Sequence, residues 1–172
     1  MKNKIRQSKK PAVPRRTKFD DLDRTDKEIL RALQADGRMS NVALAERVHL
    51  SPAACLERVR ALVEGGYIRG FRAMLEPVML EAGMLVFVHV VLERTTPDVF
   101  DAFKASVRIR PEILECHMIA GGFDYLLKAR VKDMAAYREF TAAAMWALPG
   151  VRETRTCVVM EEVKETIELP IR

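Results

Sequence analysis

The sequence predicts an α+β chain in two parts, an N-terminal winged helix-turn-helix and a C-terminal ferredoxin-like βαββαβ sandwich domain. Three observations predict it. Residues 23–64 carry three helical start signals in close succession. Residues 84–163 alternate apolar strand-like runs with two helical stretches in the order β-α-β-β-α-β. Between the two patterns lies a short stretch ending at Gly83 that carries neither period.

Taken in order, Asp23 caps a helix in which Ile29, Leu30 and Leu33 recur at helical spacing, and Asp36-Gly37 ends it. Ser40 caps a second helix with Val42, Leu44, Ala45 and Val48 on its apolar side. Ser51-Pro52 opens a third, because a serine cap followed by proline at the first helical position satisfies the free N–H groups and presets φ. Cys55, Val59 and Leu62 form its inward stripe, and Gly65-Gly66 stops it. Tyr67–Leu75 alternates large apolar with charged or small residues around Gly70, the pattern of a β-ribbon wing. The linker is placed at 77–83 and the first domain at 19–76.

The second domain is placed at 84–165, followed by a C-terminal tail, 166–172. Its expected strands are Met84–Glu93, Ile113–Ala120, Phe123–Val131 and Arg155–Val163, and its helices Pro97–Ile109 and Met134–Leu148. Both helices belong on one face of an antiparallel sheet. Yet Leu85–Val91 and Cys157–Met160 are apolar on both sides of the pleat. The second face must therefore be covered too, most simply by the same sheet of a second copy.

Composition narrows the function. Of the 29 basic residues, eight lie in residues 1–18, which hold no acid, so the net charge of +5 belongs to a tail rather than to the folded part. Such a tail, with Pro11 and Pro14, cannot bury enough apolar surface to fold alone. It can lie along phosphates or serve only solubility. No run of 18 apolar residues and no secretory leader pattern is present, so the expected location is cytoplasmic, associated with the nucleoid. The 3 cysteines show no CxxC or Cys/His spacing; free thiols are expected, and neither metal nor cofactor.

The tight connection Val48-His49-Leu50-Ser51 joins two helices as in a helix-turn-helix, whose second helix enters the major groove N-terminus first. Segment 38–72 holds six basic residues against three acids, a local excess that fits a duplex-facing surface. The candidate DNA-contacting residues are Ser40, Asn41, Arg47, Ser51, Ala53, Ala54, Arg58, Arg60 and Arg69. Small residues at 53 and 54 let the backbone approach base edges, and Arg58 has the reach for a guanine edge or a phosphate. The alternative is a three-helix bundle with a solvated charged face.

Several blocks resemble one family. They include Asp21–Leu30, Gly37–Val42, Leu50-Ser51-Pro52 and Cys55–Arg60. In the second half they are Leu85–Val88, Pro97–Phe100, Glu115-Cys116-His117, Phe123–Lys128, Leu148–Val151 and Val158–Lys164. Over about residues 20–165 the chain resembles the Lrp/AsnC, or feast/famine, regulators of transcription. The resemblance implies double-stranded DNA and an amino-acid effector as partners, dimers that assemble to octamers or larger, and no membrane. It also implies an effector site at contacts between dimers, near the turn Ala120–Asp124. Its expected residues are Met118, Gly121, Gly122, Asp124, Cys157 and Val158. The chemistry agrees: Gly121 and Gly122 leave N–H groups open to a carboxylate, and Asp124 can accept an ammonium. A plain Gly-Gly turn with Asp124 bonding its own backbone is the competing reading of those residues. One departure is Cys157, where the family pattern has a tyrosine ring, so the effector's shape is not fixed by the likeness.

Enzymatic readings find little. His117 and Asp124 have no nucleophile or metal set beside them, and Glu161 and Glu162 are neighbours in an expected strand and so face opposite ways. The expected function is sequence-specific transcription regulation of amino-acid metabolism, modulated by a small effector. A nucleoid-type architectural binder with little effector response is the alternative.

Overall fold

The computed structural model describes residues 21–172 apart from Trp146 and the side chain of Ala144. The basic segment 1–18 lies outside the described residues. The chain divides into two compact units, one formed by the residues up to Ala73 with Thr166–Arg172, the other by Met74–Glu165.

In the first unit, α1 (Arg24–Ala35), α2 (Asn41–Arg47) and α3 (Pro52–Glu64) start where the caps predict. Asp23 accepts from the Asp26 N–H and Asp26 returns a bond to the Asp23 N–H, a closed capping box. Ser40 accepts from Ala43 N, and Ser51 accepts from Ala54 N with Pro52 behind it. Ile29, Ala32, Leu44, Ala45, Cys55 and Leu62 interlock as the core of the three helices. The turn between α2 and α3 depends on His49 at φ 55, a left-handed residue that is not glycine.

The expected ribbon over Tyr67–Leu75 does not form strands. The N–H groups of Tyr67 and Ile68 both turn back to Leu62 O at the end of α3, so they cap the helix instead of starting a ladder. Residues 68–76 form no helix or strand. The C-terminal segment 166–172 pairs with α1: Gln34 donates to Leu169 O at 2.9 Å and accepts from Leu169 N at 3.1 Å.

The second unit begins with a single turn, Val78–Leu80, inside the stretch read as linker. Then follow β1 (Met84–Leu92), α4 (Pro97–Arg108), β2 (Ile113–Met118), β3 (Tyr125–Val131), α5 (Met134–Phe140) and β4 (Val151–Val158). The sheet is antiparallel with order β2-β3-β1-β4, the split βαβ arrangement. Val86, Val88, Val90 and Leu92 alternate onto the helix face and bury against Phe103, Val107, Phe140 and Met145.

Two boundaries differ from expectation. The helical stretch Met134–Leu148 stays α-helical only to Phe140 and widens to a π turn over Thr141–Met145. Thr141 donates its hydroxyl to Tyr137 O, the back-bond that loosens a helix at that point. The last strand is shifted toward the N-terminus of the expected one, Arg155–Val163. It already pairs at Val151 with Leu92, and beyond Val158 only Val159 N still reaches Leu85 O, leaving Met160 100% exposed.

Candidate functional site

The exposed surface at the start of α3 is built by caps and one bridge. Ser51, Ala53 and Ala54 are exposed on its first turn, with Ser51 Oγ fixed by the Ala54 N–H at 3.2 Å. Ser40 holds Ala43 N in the same way at the head of α2. Asn41 does not point outward freely: its Nδ2 donates to Pro52 O at 2.7 Å and ties the head of α2 to the head of α3. Arg38, Arg47, Arg69 and Arg72 are exposed, whereas Arg60 is drawn to Glu57 of its own helix at 2.6 Å.

Arg58, expected among the DNA-contacting residues, is paired within the protein. Its Nη1 donates to Asp23 Oδ2 at 2.6 Å and to Asp26 Oδ1 at 2.8 Å, so the guanidinium faces the head of α1 and not the open end of α3. Asp23 is held below the ordinary carboxylate range, first by the Asp26 N–H and then by Arg58. One clue is legible in the sequence, the spacing Asp23-x-x-Asp26 of a capping box. Nothing in it indicates that the spare oxygens of that box meet residue 58.

In the second unit the expected effector residues do not form one pocket within a protomer. Met118 ends β2 at one sheet edge, and Cys157 and Val158 end β4 at the other, separated by β3 and β1. Three inter-strand spacings of roughly 4.8 Å put those edges about 14 Å apart. Met118 shares a face with Tyr125, on the helix side, while Cys157 pairs with Phe87 on the opposite face. Gly121, Gly122 and Asp124 do lie together in the β2–β3 turn with Met118 before it. Neither glycine has a positive φ, and a Cβ on Gly122 meets nothing within 4 Å. They leave open space and are not needed for the turn's backbone.

Asp124 anchors that turn. Its Oδ2 accepts from Leu92 N at 2.7 Å, its N–H donates to Val90 O at 2.9 Å, and its carbonyl accepts from Ile119 N at 2.9 Å. One carboxylate oxygen is thus spent on β1 where the β1–β4 register shifts. Phe123 stacks on His89 of β1, ring centroids 4.1 Å apart and 12° from parallel, which pins the turn to the open sheet face.

That open face carries Phe87, His89, Val91 and Leu126, all half-buried, along its centre. Lys128 and Glu115 pair beside them at 3.2 Å, and Glu115 also meets His117 at 3.0 Å. The His117 bond, then Lys128, holds the Glu115 carboxyl below its usual range. Sequence reading missed a cleft of about 450 Å³ at the other end of β3, lined by Glu81, Glu112, Arg130, Lys132, Glu139 and Phe140 among others. Its cations are taken: Lys132 by Glu81 at 2.6 Å, Arg130 by Glu162 at 2.7 Å. Among the described residues no His, Cys, Asp and Glu side chains group as a metal site, and no helix is long and apolar enough to cross a membrane.

Comparison with known proteins agrees with both halves. Residues 85–169 match the Lrp/AsnC ligand binding domain, and residues 22–69 match a winged helix-turn-helix DNA-binding domain. The chain is 55% identical over 152 residues to the leucine-responsive regulatory protein of Salmonella typhimurium, covering 88% of this chain and 93% of that one. The Escherichia coli protein of the same name matches equally, 55% over 152 residues. A transcriptional regulator from Neisseria meningitidis, solved as an L-Met complex, superposes with TM-score 0.83 at 40% identity, covering 87% of this chain and 97% of that one. An AsnC family regulator from Agrobacterium tumefaciens superposes with TM-score 0.83 at 34% identity over the same shares. With a DNA-binding helix-turn-helix and a ligand-binding βαββαβ domain in one chain, and more than half its residues shared with such a regulator over most of its length, this protein belongs to the Lrp/AsnC family of transcription regulators.

Proposed function

We propose that this chain regulates transcription of amino-acid metabolism by binding specific DNA sites in the cytoplasm, that an amino acid modulates this binding, and that it acts by binding rather than by turnover. The observation that carries the DNA half is the exposed head of α3. Ser51, Ala53 and Ala54 present a small-residue surface there, braced by the Asn41–Pro52 bond, with Arg47 and Arg69 exposed for phosphates. Ser40 and Arg60 contribute from the margin of the same surface.

The effector half is a site shared between protomers. Met118 lies at one sheet edge with the turn holding Gly121, Gly122 and Asp124 after it, and Cys157 and Val158 lie at the other edge. A second copy is what can bring one set toward the other. Open N–H groups in the 121–122 turn suit the α-carboxylate, and the oxygen of Asp124 not bonded to Leu92 suits the ammonium. Exposed Met118 and the thiol of Cys157 offer no charge to the side chain, so an apolar amino acid fits best. The relative solved as an L-Met complex supports that choice.

Assembly follows from the uncovered sheet face. Phe87, His89, Val91 and Leu126 make an apolar strip that a second copy of the sheet covers, giving a dimer, with octamers built from dimers. Calorimetry with the twenty amino acids, paired with light scattering, tests this reading. An apolar amino acid binding below millimolar and shifting the assembly supports it; a stable monomer that binds none of them overturns it.

A further inference from the structure

We infer that Arg58 is a positioning residue, one that locks the angle of α3 against the head of α1, and does not itself read DNA. The inference rests on α3 being the element that enters the groove. The four oxygens of Asp23 and Asp26 divide their work without overlap. Asp23 Oδ1 accepts the Asp26 N–H at 2.7 Å and Asp26 Oδ2 accepts the Asp23 N–H at 3.3 Å, closing the cap of α1. The two remaining oxygens converge on one nitrogen, Arg58 Nη1, at 2.6 and 2.8 Å. The cap of one helix is therefore the socket for a side chain of another, 32 and 35 residues along the chain.

Charge explains why this junction is specific. The head of α1 carries the positive end of its dipole, which alone repels a guanidinium. Two carboxylates reverse that sign: the Asp23 carboxyl is lowered by the Asp26 N–H and then by Arg58, and the Arg58 guanidinium is raised first by its bond to Asp23. Elsewhere α1 and α3 meet through Ile29, Leu33, Cys55, Val59 and Leu62, aliphatic or small groups that tolerate sliding. The bifurcated bond from Arg58 does not, because it is met only at one rotation of α3. With the guanidinium turned to α1, sequence is read from the residues nearer the start of α3.

The experiment measures affinity for a duplex selected by the wild-type protein from a random pool, and for random duplex, across a salt series. Arg58→Met is expected to lower affinity for the selected duplex about tenfold. Random-duplex affinity and the slope of log affinity against log salt should stay unchanged, since no phosphate contact is lost. Asp26→Asn should weaken the selected complex about fivefold, although removing an acid near DNA by itself strengthens binding. The Asp26→Asn/Arg58→Met pair should be no worse than Arg58→Met alone. Arg58→Lys should restore most of the affinity. Asp23→Ser keeps a capping oxygen for the Asp26 N–H, so it carries the test where Arg58→Met fails to fold. Tighter binding by Asp26→Asn, a salt slope lower by about one unit in Arg58→Met, or discrimination lost at a single base pair each overturns the inference. A wild-type protein that selects no sequence overturns the DNA reading itself, and the inference with it.

Discussion

Replacing Asp124 by alanine removes the side-chain acceptor that holds Leu92 N, at a point where Leu92 is 4% exposed and β1 changes register with β4. A hydrogen bond to a charged acceptor contributes about 1.5–3 kcal/mol, and a buried N–H left without its partner is costly in the same range. Asp124→Ala should therefore destabilise the second unit by about 2 kcal/mol. Asp124→Asn keeps an oxygen in place and should cost about 1 kcal/mol or less. In a unit of this size 1 kcal/mol moves the melting temperature by about 4–8 °C, so the alanine variant should melt on the order of 10 °C lower. The melt is followed by circular dichroism. Protomer concentration is held fixed, because assembly shifts the midpoint. Asp124→Asn should keep the fold yet lose affinity for an amino acid's ammonium. An alanine variant melting within 2 °C of wild type would show that the carboxylate anchors nothing.

Other perturbations follow the same physics. Gly150 sits at φ 72 and a Cβ there would lie 2.5 Å from Val99 Cγ1, so Gly150→Ala should cost about 2–3 kcal/mol in the same melt, with Val99→Ala recovering part of it. His49→Val places a β-branched residue at φ 55 and should destabilise the helix-turn-helix by about 1–2 kcal/mol, read by circular dichroism. Asp23 has a lowered carboxyl, so what it adds to stability is fully present above the ordinary value of 3.8 and is lost as pH falls through its folded value. The stability gap between wild type and Asp23→Asn should thus be flat from pH 8 to 5 and narrow on acidification below about pH 4; a gap that narrows already between pH 8 and 5 contradicts the assignment.

Local signals were legible wherever one residue type has one physical use. Asp23, Ser40 and Ser51-Pro52 start their helices because their side chains meet orphan N–H groups, and this needs no tertiary context. The βαββαβ succession and the antiparallel sheet followed from strand spacing and helix placement. The strands expected over 67–75 do not form, because alternation there cannot reveal that Tyr67 and Ile68 spend their N–H groups on Leu62. The break in α5 turns on one hydroxyl, Thr141, bonding back to Tyr137, a choice open to any threonine in a helix. Arg58 was assigned by reach and charge, which are identical for a base reader and for a clamp. Its pairing with Asp23 and Asp26 depends on where those carboxylates lie in the fold, which the sequence does not show. The effector residues were grouped through the family likeness, and the sheet divides them between its edges.

The central claim is that one chain couples sequence-specific DNA binding to an amino acid. Fluorescence anisotropy with the selected duplex and with random duplex, at fixed salt, with and without the amino acid that binds in calorimetry, tests it most directly. The account predicts at least about 10³-fold preference for the selected duplex and a several-fold change in that affinity when the amino acid is added. Equal affinity for both duplexes, unmoved by any amino acid, would contradict it.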